Sequence, residues 1–230
     1  MSAEPIHLRP TAPLAERVLL PGDPGRALLL AQALLHEPRM FNHHRGLWGY
    51  TGTAADQEPL TIQSTGMGGP SAAIVITELA MLGARRLIRV GTCGALDPTL
   101  ELGDLILARA AIANDGTSQA LGAGRRVEAP GGLTDEVGAT ETTLHQGPIV
   151  STDLFYDNDG QEDHWATEGA LAIEMETATL FTIAKNKGLQ AASLLIVTDI
   201  VLPTRHRISP DALAKAERQA GEIATSALMR

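Results

Sequence analysis

The sequence predicts one α/β domain spanning residues 1–230, with a central mixed β-sheet flanked by helices. Its 230 residues suffice for one sizeable domain and are too few for two comfortable ones. Short apolar runs, typical of strands, alternate with longer segments of helical periodicity, which is the pattern of strand, crossover helix and strand. Several of these runs stop abruptly at glycine-rich turns.

The first half of the chain shows this alternation clearly. An apolar strand at 17–20 ends at a Pro-Gly-Asp-Pro turn, and an Ala/Leu-rich helix follows at 25–35. Residues 50–53 and 60–64 read as two strands joined by a polar turn. A buried helix at 71–82 and a strand at 86–90 complete this half.

Fewer helices and strands are predicted in the second half of the chain. Apolar runs at 105–113 and 190–197 predict strands, and residues 174–185 and 211–228 have helical periodicity. Residues 120–140 are rich in Gly, Ala and Pro with weak periodicity, which predicts a loop.

Charge and cysteine content narrow the function classes. The net charge of −9 and the pI near 5.2 argue against nucleic acid or an anionic membrane as the main partner. Cys93 is the only cysteine, so no intrachain disulfide is expected and a reducing compartment is favoured. The first ten residues lack the apolar core of a signal peptide, and no apolar run is long enough to span a bilayer, so we expect a cytoplasmic protein.

Three arginines lie next to glycine turns and are candidates for binding an anion. Arg26 follows a turn that contains Gly22, Arg45 precedes Gly46, and Arg89 is two residues before a glycine. Strand-to-helix junctions point backbone N–H groups outward, and a guanidinium can bind a phosphate through two donors. One such arginine would be an ordinary surface charge, whereas three in one α/β chain predict a phosphate site.

Several common sites are excluded. The turn at 66–70 fails the dinucleotide-binding pattern because Ser71 occupies the position of its third glycine, and no P-loop is present. The sequence has neither a cysteine pair nor an H-E-x-x-H motif, so it predicts no metal site. Cys93 is expected to be a small buried filler rather than a nucleophile.

Two acidic positions are ambiguous on local grounds. Glu174 and Glu176 flank a methionine in an apolar stretch, where they could be ligand-binding residues or could complement the N-terminus of a helix. Asp199 ends an apolar strand, which is where α/β sheets commonly place ligand sites.

Five segments, in order, resemble the six-subunit purine/uridine phosphorylase family across nearly the whole chain. They are residues 20–26, 44–46, 64–71, 89–94 and 174–176, together with the flanking Ile6-His7 and the last helix. The resemblance implies phosphorolysis of purine ribo- and deoxyribonucleosides, both 6-amino and 6-oxo, with inorganic phosphate as co-substrate and no cofactor. It also implies a homo-oligomer, a hexamer built as a trimer of dimers.

The same resemblance implies roles for individual residues. The expected phosphate contacts are Gly22, Arg26, Arg89 and Thr92, with Arg45 supplied by a neighbouring subunit. The expected ribose contacts are Met175 and Glu176, with His7 from the neighbour. The base is expected against Cys93, Gly94, Glu174 and either Phe155 or Tyr156.

Asp199 matches the acid that, when protonated, donates to N7 of the leaving purine. In purine-specific members an arginine of the last helix moves towards this aspartate. Arg218 matches its local motif, although Arg205 and Arg207 are competing candidates because the intervening stretch is longer here.

Three alternatives stay open. A uridine phosphorylase would share this scaffold, but its uracil-reading segment carries an arginine where Asp163 stands here. A hydrolytic nucleosidase would lack the phosphate arginines. A non-catalytic nucleoside-binding protein would have no need for both Asp199 and Glu176.

Overall fold

The computed structural model describes residues 4–156, 160–201 and 205–230. The strands described are β1 Arg17–Leu20, β2 His36–Asn42, β3 Gly49–Thr53, β4 Pro59–Gln63, β5 Arg86–Ala95, β6 Leu105–Asn114, β7 Arg126–Glu128, β8 His145–Thr152, β9 Ala172–Glu174, β10 Gln190–Ile200 and β11 His206–Arg207. The helices described are α1 Pro24–Leu34, α2 Gly69–Leu82, α3 Gly116–Ala120, α4 Leu133–Gly138, α5 Gln161–Thr167, α6 Thr177–Lys187 and α7 Pro210–Leu228.

All these strands belong to one mixed sheet. Its order is β11-β10-β6-β8-β9-β5-β1-β4-β3-β2, and β7 pairs with β6 outside this path. Strand β1 runs parallel to both β4 and β5, and β10 runs parallel to β5 and antiparallel to β6. Because β10 also pairs with β5, the strands from β5 round to β10 form a closed, barrel-like part of the sheet.

The strands alternate buried side chains between the two faces of the sheet. Val18 and Leu20 of β1 belong to the core under α2 and α6, whereas Leu19 between them belongs to the core under α1 and α7. This period of two follows from the pleat of a strand and buries both faces. The mixed α/β domain predicted from the sequence is confirmed.

Helix α1 begins at an N-terminal cap formed by Asp23. The side chain of Asp23 accepts hydrogen bonds from the backbone N–H groups of Gly25 and Arg26, and Pro24 occupies the first turn. The strand-turn-helix junction predicted at 20–26 therefore forms as expected.

Three predicted boundaries were wrong. The helix predicted to begin at residue 174 begins at Thr177, because Glu174 is the last residue of β9. The segment 120–140 is not one loop, because it contains β7 and α4, whose Val127, Leu133 and Val137 are buried. Strand β5 does not stop at Gly91 but continues to Ala95, since β10 and β9 pair with its last residues. Among the described residues, no helix is long and apolar enough to cross a membrane.

Candidate active site

A pocket of about 470 Å³ lies where several strands of the sheet end. It is lined by turns after β1 and β4, by the second half of β5, and by the ends of β8, β9 and β10. These positions are where an open α/β sheet gathers its loops around a ligand. Its lining includes Gly22, Arg26, Arg89, Thr92, Cys93, Gly94, Phe155, Glu174, Met175, Glu176 and Asp199.

Arg89 is buried in the pocket wall between two carboxylates. Its Nε donates to Glu174 Oε2 at 3.1 Å, and its Nη2 lies 2.5 Å from Glu176 Oε2. Burial by itself would lower the pKa of Arg89. The negative charges of Glu176 and Glu174 outweigh this effect and hold that pKa above its ordinary value. The third guanidinium nitrogen, Nη1, lies near Gly22: a Cβ added at that glycine would be 3.9 Å from it.

Arg26 is the second buried arginine of the pocket. It lies in the first turn of α1, where its Nε donates to Glu217 Oε1 of α7 at 2.7 Å. Its Nη1 lies 3.4 Å from the carbonyl oxygen of Val90 on β5. Arg26 and Arg89, two of the three arginines next to glycine turns, therefore reach the same pocket from two different elements.

Glu176 is held at the other side of Arg89 by a glycine loop. The backbone N–H of Gly68 donates to Glu176 Oε1 at 2.5 Å, and Gly68 has a φ of 83°, which favours glycine. Burial raises the pKa of Glu176 above its ordinary value of 4.5, and the charge of Arg89 offsets only part of this rise. Met175 lines the pocket beside it.

Glu174, expected behind the base, has a different surrounding. Its carboxylate accepts from the backbone N–H groups of Glu176 and Thr177 at 2.9–3.0 Å, from Ser151 Oγ, and from Arg89. It therefore caps the start of α6, which is the helix-terminus interpretation that the sequence left open. Glu174 therefore holds both Arg89 and the start of α6, and it also lines the pocket.

Asp199 reaches the pocket through an irregularity of β10. The register between β10 and β5 shifts between Val197 and Asp199, so Thr198 is an extra residue at a β-bulge. Thr198 Oγ1 donates to Asp199 Oδ2 at 3.0 Å, and both side chains line the pocket. No described group donates a hydrogen bond to the buried Oδ1, although Arg207 Nε approaches it to 3.2 Å.

Among the described residues, Arg218 neither lines the pocket nor contacts Asp199. Arg218 lies on the exposed side of α7, because neighbouring helix positions point about 100° apart and its neighbour Glu217 faces inward to Arg26. The arginines near Asp199 are the two competing candidates. Arg207 pairs with Asp199 across β10 and β11, and Arg205 lines the pocket with its guanidinium 5.0 Å from the Phe155 ring centre.

The mouth of the pocket is apolar and exposed. Phe155 lines it, and Tyr156 packs edge-on against Phe155 with ring centres 4.9 Å apart. Met67 also lines the pocket and is 86% exposed. Of the two aromatic candidates, Phe155 is the one that faces the pocket.

His7 and Arg45 lie outside the pocket of their own chain. Arg45 is exposed, with a φ of 59°, in the 3-10 turn at His44–Gly46. His7 Nδ1 contacts Glu78 Oε1 at 2.7 Å, and His44 Nδ1 contacts the carbonyl oxygen of His7 at 2.9 Å. The structure thus brings the two residues onto one surface, away from the residues that line the pocket.

Cys93 is buried in the pocket wall, as the sequence predicted. Its Sγ lies 3.5 Å from the carbonyl oxygen of Ile196, and burial raises the pKa of its thiol well above the ordinary range. This burial fits a small filler rather than a nucleophile.

Three supporting residues were missed from the sequence. Thr198 contacts Asp199, Glu217 contacts Arg26, and Glu78 contacts His7. Only Glu217 carried a signal, since it precedes Arg218 in the motif already singled out.

The sequence model of the phosphorylase superfamily matches residues 16–229. The chain belongs to the phosphorylase superfamily. A similar relative is the purine nucleoside phosphorylase DeoD-type of Geobacillus kaustophilus, 39% identical over 199 residues that cover 84% of each chain. The guanosine phosphorylase of Halorubrum lacusprofundi is 39% identical over 206 residues, which cover 86% of this chain and 83% of that one.

Among solved structures, a uridine phosphorylase from Vibrio fischeri has the same fold. It superposes with a TM-score of 0.84 at 28% identity, covering 94% of this chain and 92% of that chain. The superfamily resemblance stated from the sequence motifs is therefore confirmed, and so is the nucleoside phosphorylase-like fold.

Proposed function

We propose that the protein cleaves purine nucleosides with inorganic phosphate, releasing the free base and ribose or deoxyribose 1-phosphate. The observation that carries this proposal is that two buried arginines, Arg26 and Arg89, line the same pocket as Asp199. A hydrolytic nucleosidase attacks with water and needs no anion site, whereas two guanidinium groups in one pocket suit a bound phosphate.

The pocket supplies a group for each part of the displacement. Phosphate held by Arg26, Arg89, Gly22 and Thr92 attacks C1′ of the sugar, which converts an encounter into a positioned reaction. The new bond joins a phosphate oxygen to C1′, the C1′–N9 bond breaks, and its electron pair leaves with the purine. The phosphate dianion stabilises the positive charge that develops on the sugar.

Two carboxyl groups complete this assignment. Glu176 accepts hydrogen bonds from the ribose hydroxyls while Gly68 and Arg89 hold its oxygens. Asp199, in its protonated form, donates to N7 so that the base leaves neutral. Asp199 and Thr198, whose hydroxyl donates to Asp199 Oδ2, both line the pocket.

Purine is favoured over uracil by the relatives. The two proteins that are 39% identical are named for purine nucleosides, whereas the uridine phosphorylase structure is 28% identical. We extend the purine class to this chain and keep uridine as the alternative substrate.

The active unit is proposed to be an oligomer, a hexamer of three dimers. His7 and Arg45 lie on one surface of the chain, outside its own pocket, together with the exposed Ile6 and Trp48. In a dimer these two residues would reach the ribose and phosphate of the neighbouring site. Apolar exposed side chains around them suit an interface between copies.

The test is release of base from adenosine, inosine, guanosine and uridine, with and without phosphate, followed by detection of the sugar 1-phosphate. Phosphate-dependent release from the purine nucleosides supports the proposal. Equal release without phosphate would indicate a nucleosidase, and release from uridine alone would favour the alternative. Binding without any release would leave only a nucleoside-binding protein.

A further inference from the structure

Within the described residues, Glu217 contacts the lining of the pocket only through Arg26. Its carboxylate accepts from Arg26 Nε at 2.7 Å, and the two side chains are about equally buried. Glu217 is not among the residues that line the pocket, whereas Arg26 is. The contact through which Glu217 can orient a group of the pocket is therefore its bond to the guanidinium of Arg26.

The contacts of Arg26 determine which of its three guanidinium nitrogens can still donate to a ligand. Glu217 takes Nε, and the carbonyl oxygen of Val90 lies 3.4 Å from Nη1. Nη2 makes no hydrogen bond with any residue that the structure describes. Because Nε and Nη1 are both held, the planar guanidinium has one orientation, and Arg26 is among the residues that line the pocket.

Arg89 shares one feature with Arg26, a carboxylate that pairs with its Nε. Glu174 pairs with Nε of Arg89, and Glu176 pairs with Nη2. The remaining nitrogen, Nη1, lies near Gly22. Each buried arginine thus has a carboxylate at its Nε. Pairing of this kind also offsets the cost of burying the positive charge before phosphate arrives.

We propose that Glu217 is a positioning residue for the phosphate co-substrate, acting by orienting Arg26. This inference rests on the proposed phosphorolysis. The competing explanation is that the pair only ties α7 to α1, in which case its loss would lower stability without a selective effect on phosphate.

The experiment compares Glu217→Gln and Glu217→Ala with the unmodified enzyme, measuring KM for phosphate, KM for inosine, kcat, and the rise in melting temperature caused by phosphate. Loss of a charge-assisted bond predicts a KM for phosphate about tenfold higher for Glu217→Gln and higher still for Glu217→Ala. KM for inosine should stay within about twofold, and the stabilisation by phosphate should shrink in parallel.

Glu136→Gln is the matched control, because Glu136 pairs with Arg86 away from the pocket. It should leave KM for phosphate unchanged. A double-mutant cycle adds Arg26→Ala: once Arg26 is absent, Glu217→Gln should add little to KM for phosphate. The proposal is overturned if both Glu217 variants keep the original KM for phosphate, or if Glu217→Gln has the same effect without Arg26. If the unmodified enzyme needs no phosphate at all, it is the proposed function that fails.

Discussion

The guanidinium of Arg89 lies over Gly91, two residues further along β5. Residues two apart on a strand face the same side, and a Cβ at position 91 would stand 2.7 Å from both Cζ and Nη2 of Arg89. Real Cβ atoms do not approach other heavy atoms so closely. Gly91 is therefore required for the position of Arg89 rather than for the backbone of the strand.

Gly91→Ala should displace Arg89 and raise KM for phosphate about tenfold or more, while the protein still folds, since the clash is with the end of a side chain. Gly132→Ala is the control, because nothing lies within 4 Å of its missing side chain. Steady-state kinetics and a melting curve for each variant check this. A fully active Gly91→Ala enzyme would show that Arg89 can leave without consequence.

Arg89→Ala should raise the phosphate requirement steeply. It removes one of the charge-assisted donors for the anion, a loss of about 2 kcal/mol or more, and leaves Glu174 and Glu176 without their cation. Phosphate titrations measure the effect, with Arg126→Ala as control because its partner Glu128 lies outside the pocket. An unchanged phosphate dependence would remove Arg89 from the site.

Asp199→Asn should impair adenosine cleavage at least about tenfold more than inosine cleavage, or roughly 1.4 kcal/mol in barrier. An asparagine can donate a hydrogen bond but cannot transfer a proton, and a 6-oxo base tolerates its leaving-group charge better. Turnover of both nucleosides and a melting curve separate this role from simple capping. Equal losses on both, with a lower melting temperature, would contradict proton donation.

Acid should loosen the segment that carries His7. Burial by itself raises the pKa of Glu78, but the backbone N–H of Leu8, the His7 side chain and the N–H groups of His7 and Ile6 together hold that pKa below its ordinary value of 4.5. A lowered folded-state pKa contributes stability above 4.5 that is lost as pH falls through the folded-state value.

Glu78→Gln should therefore unfold more easily than the unmodified protein near neutral pH, and the difference should narrow as pH falls below 4.5. Urea unfolding across this pH range measures the free energy of each protein. A difference that stays constant with pH would mean that the charge of Glu78 contributes nothing.

Mixing Arg45→Ala chains with Glu176→Ala chains should restore activity. If Arg45 serves the neighbour's pocket, each hybrid dimer contains one site with neither defect. Mixing Glu176→Ala with Asp199→Ala is the control and should restore nothing, since both residues line the pocket of their own chain. No rescue in the first mixture, once subunit exchange is verified, would count against shared sites.

The limits of sequence reasoning are visible at particular residues. Arg26 and Arg89 were identifiable because they adjoin glycine turns at strand ends, which is a local signal. The surroundings of Glu174 could not be identified from the sequence, because its partners Ser151 and Arg89 belong to other strands. Position 199 could be recognised as a strand end, whereas the bulge that turns Thr198 and Asp199 into the pocket depends on the register with β5.

The sequence by itself determined the alternation of strands and helices, the glycine junctions and the residue types that gather at the pocket. These follow from periodicity and backbone preferences, which act over a few neighbouring positions. Only the tertiary structure decided which carboxylate holds which arginine, and that Arg207 rather than Arg218 lies beside Asp199. Such pairings join residues far apart in the chain, and they are set by the packing of α7 and the order of strands in the sheet.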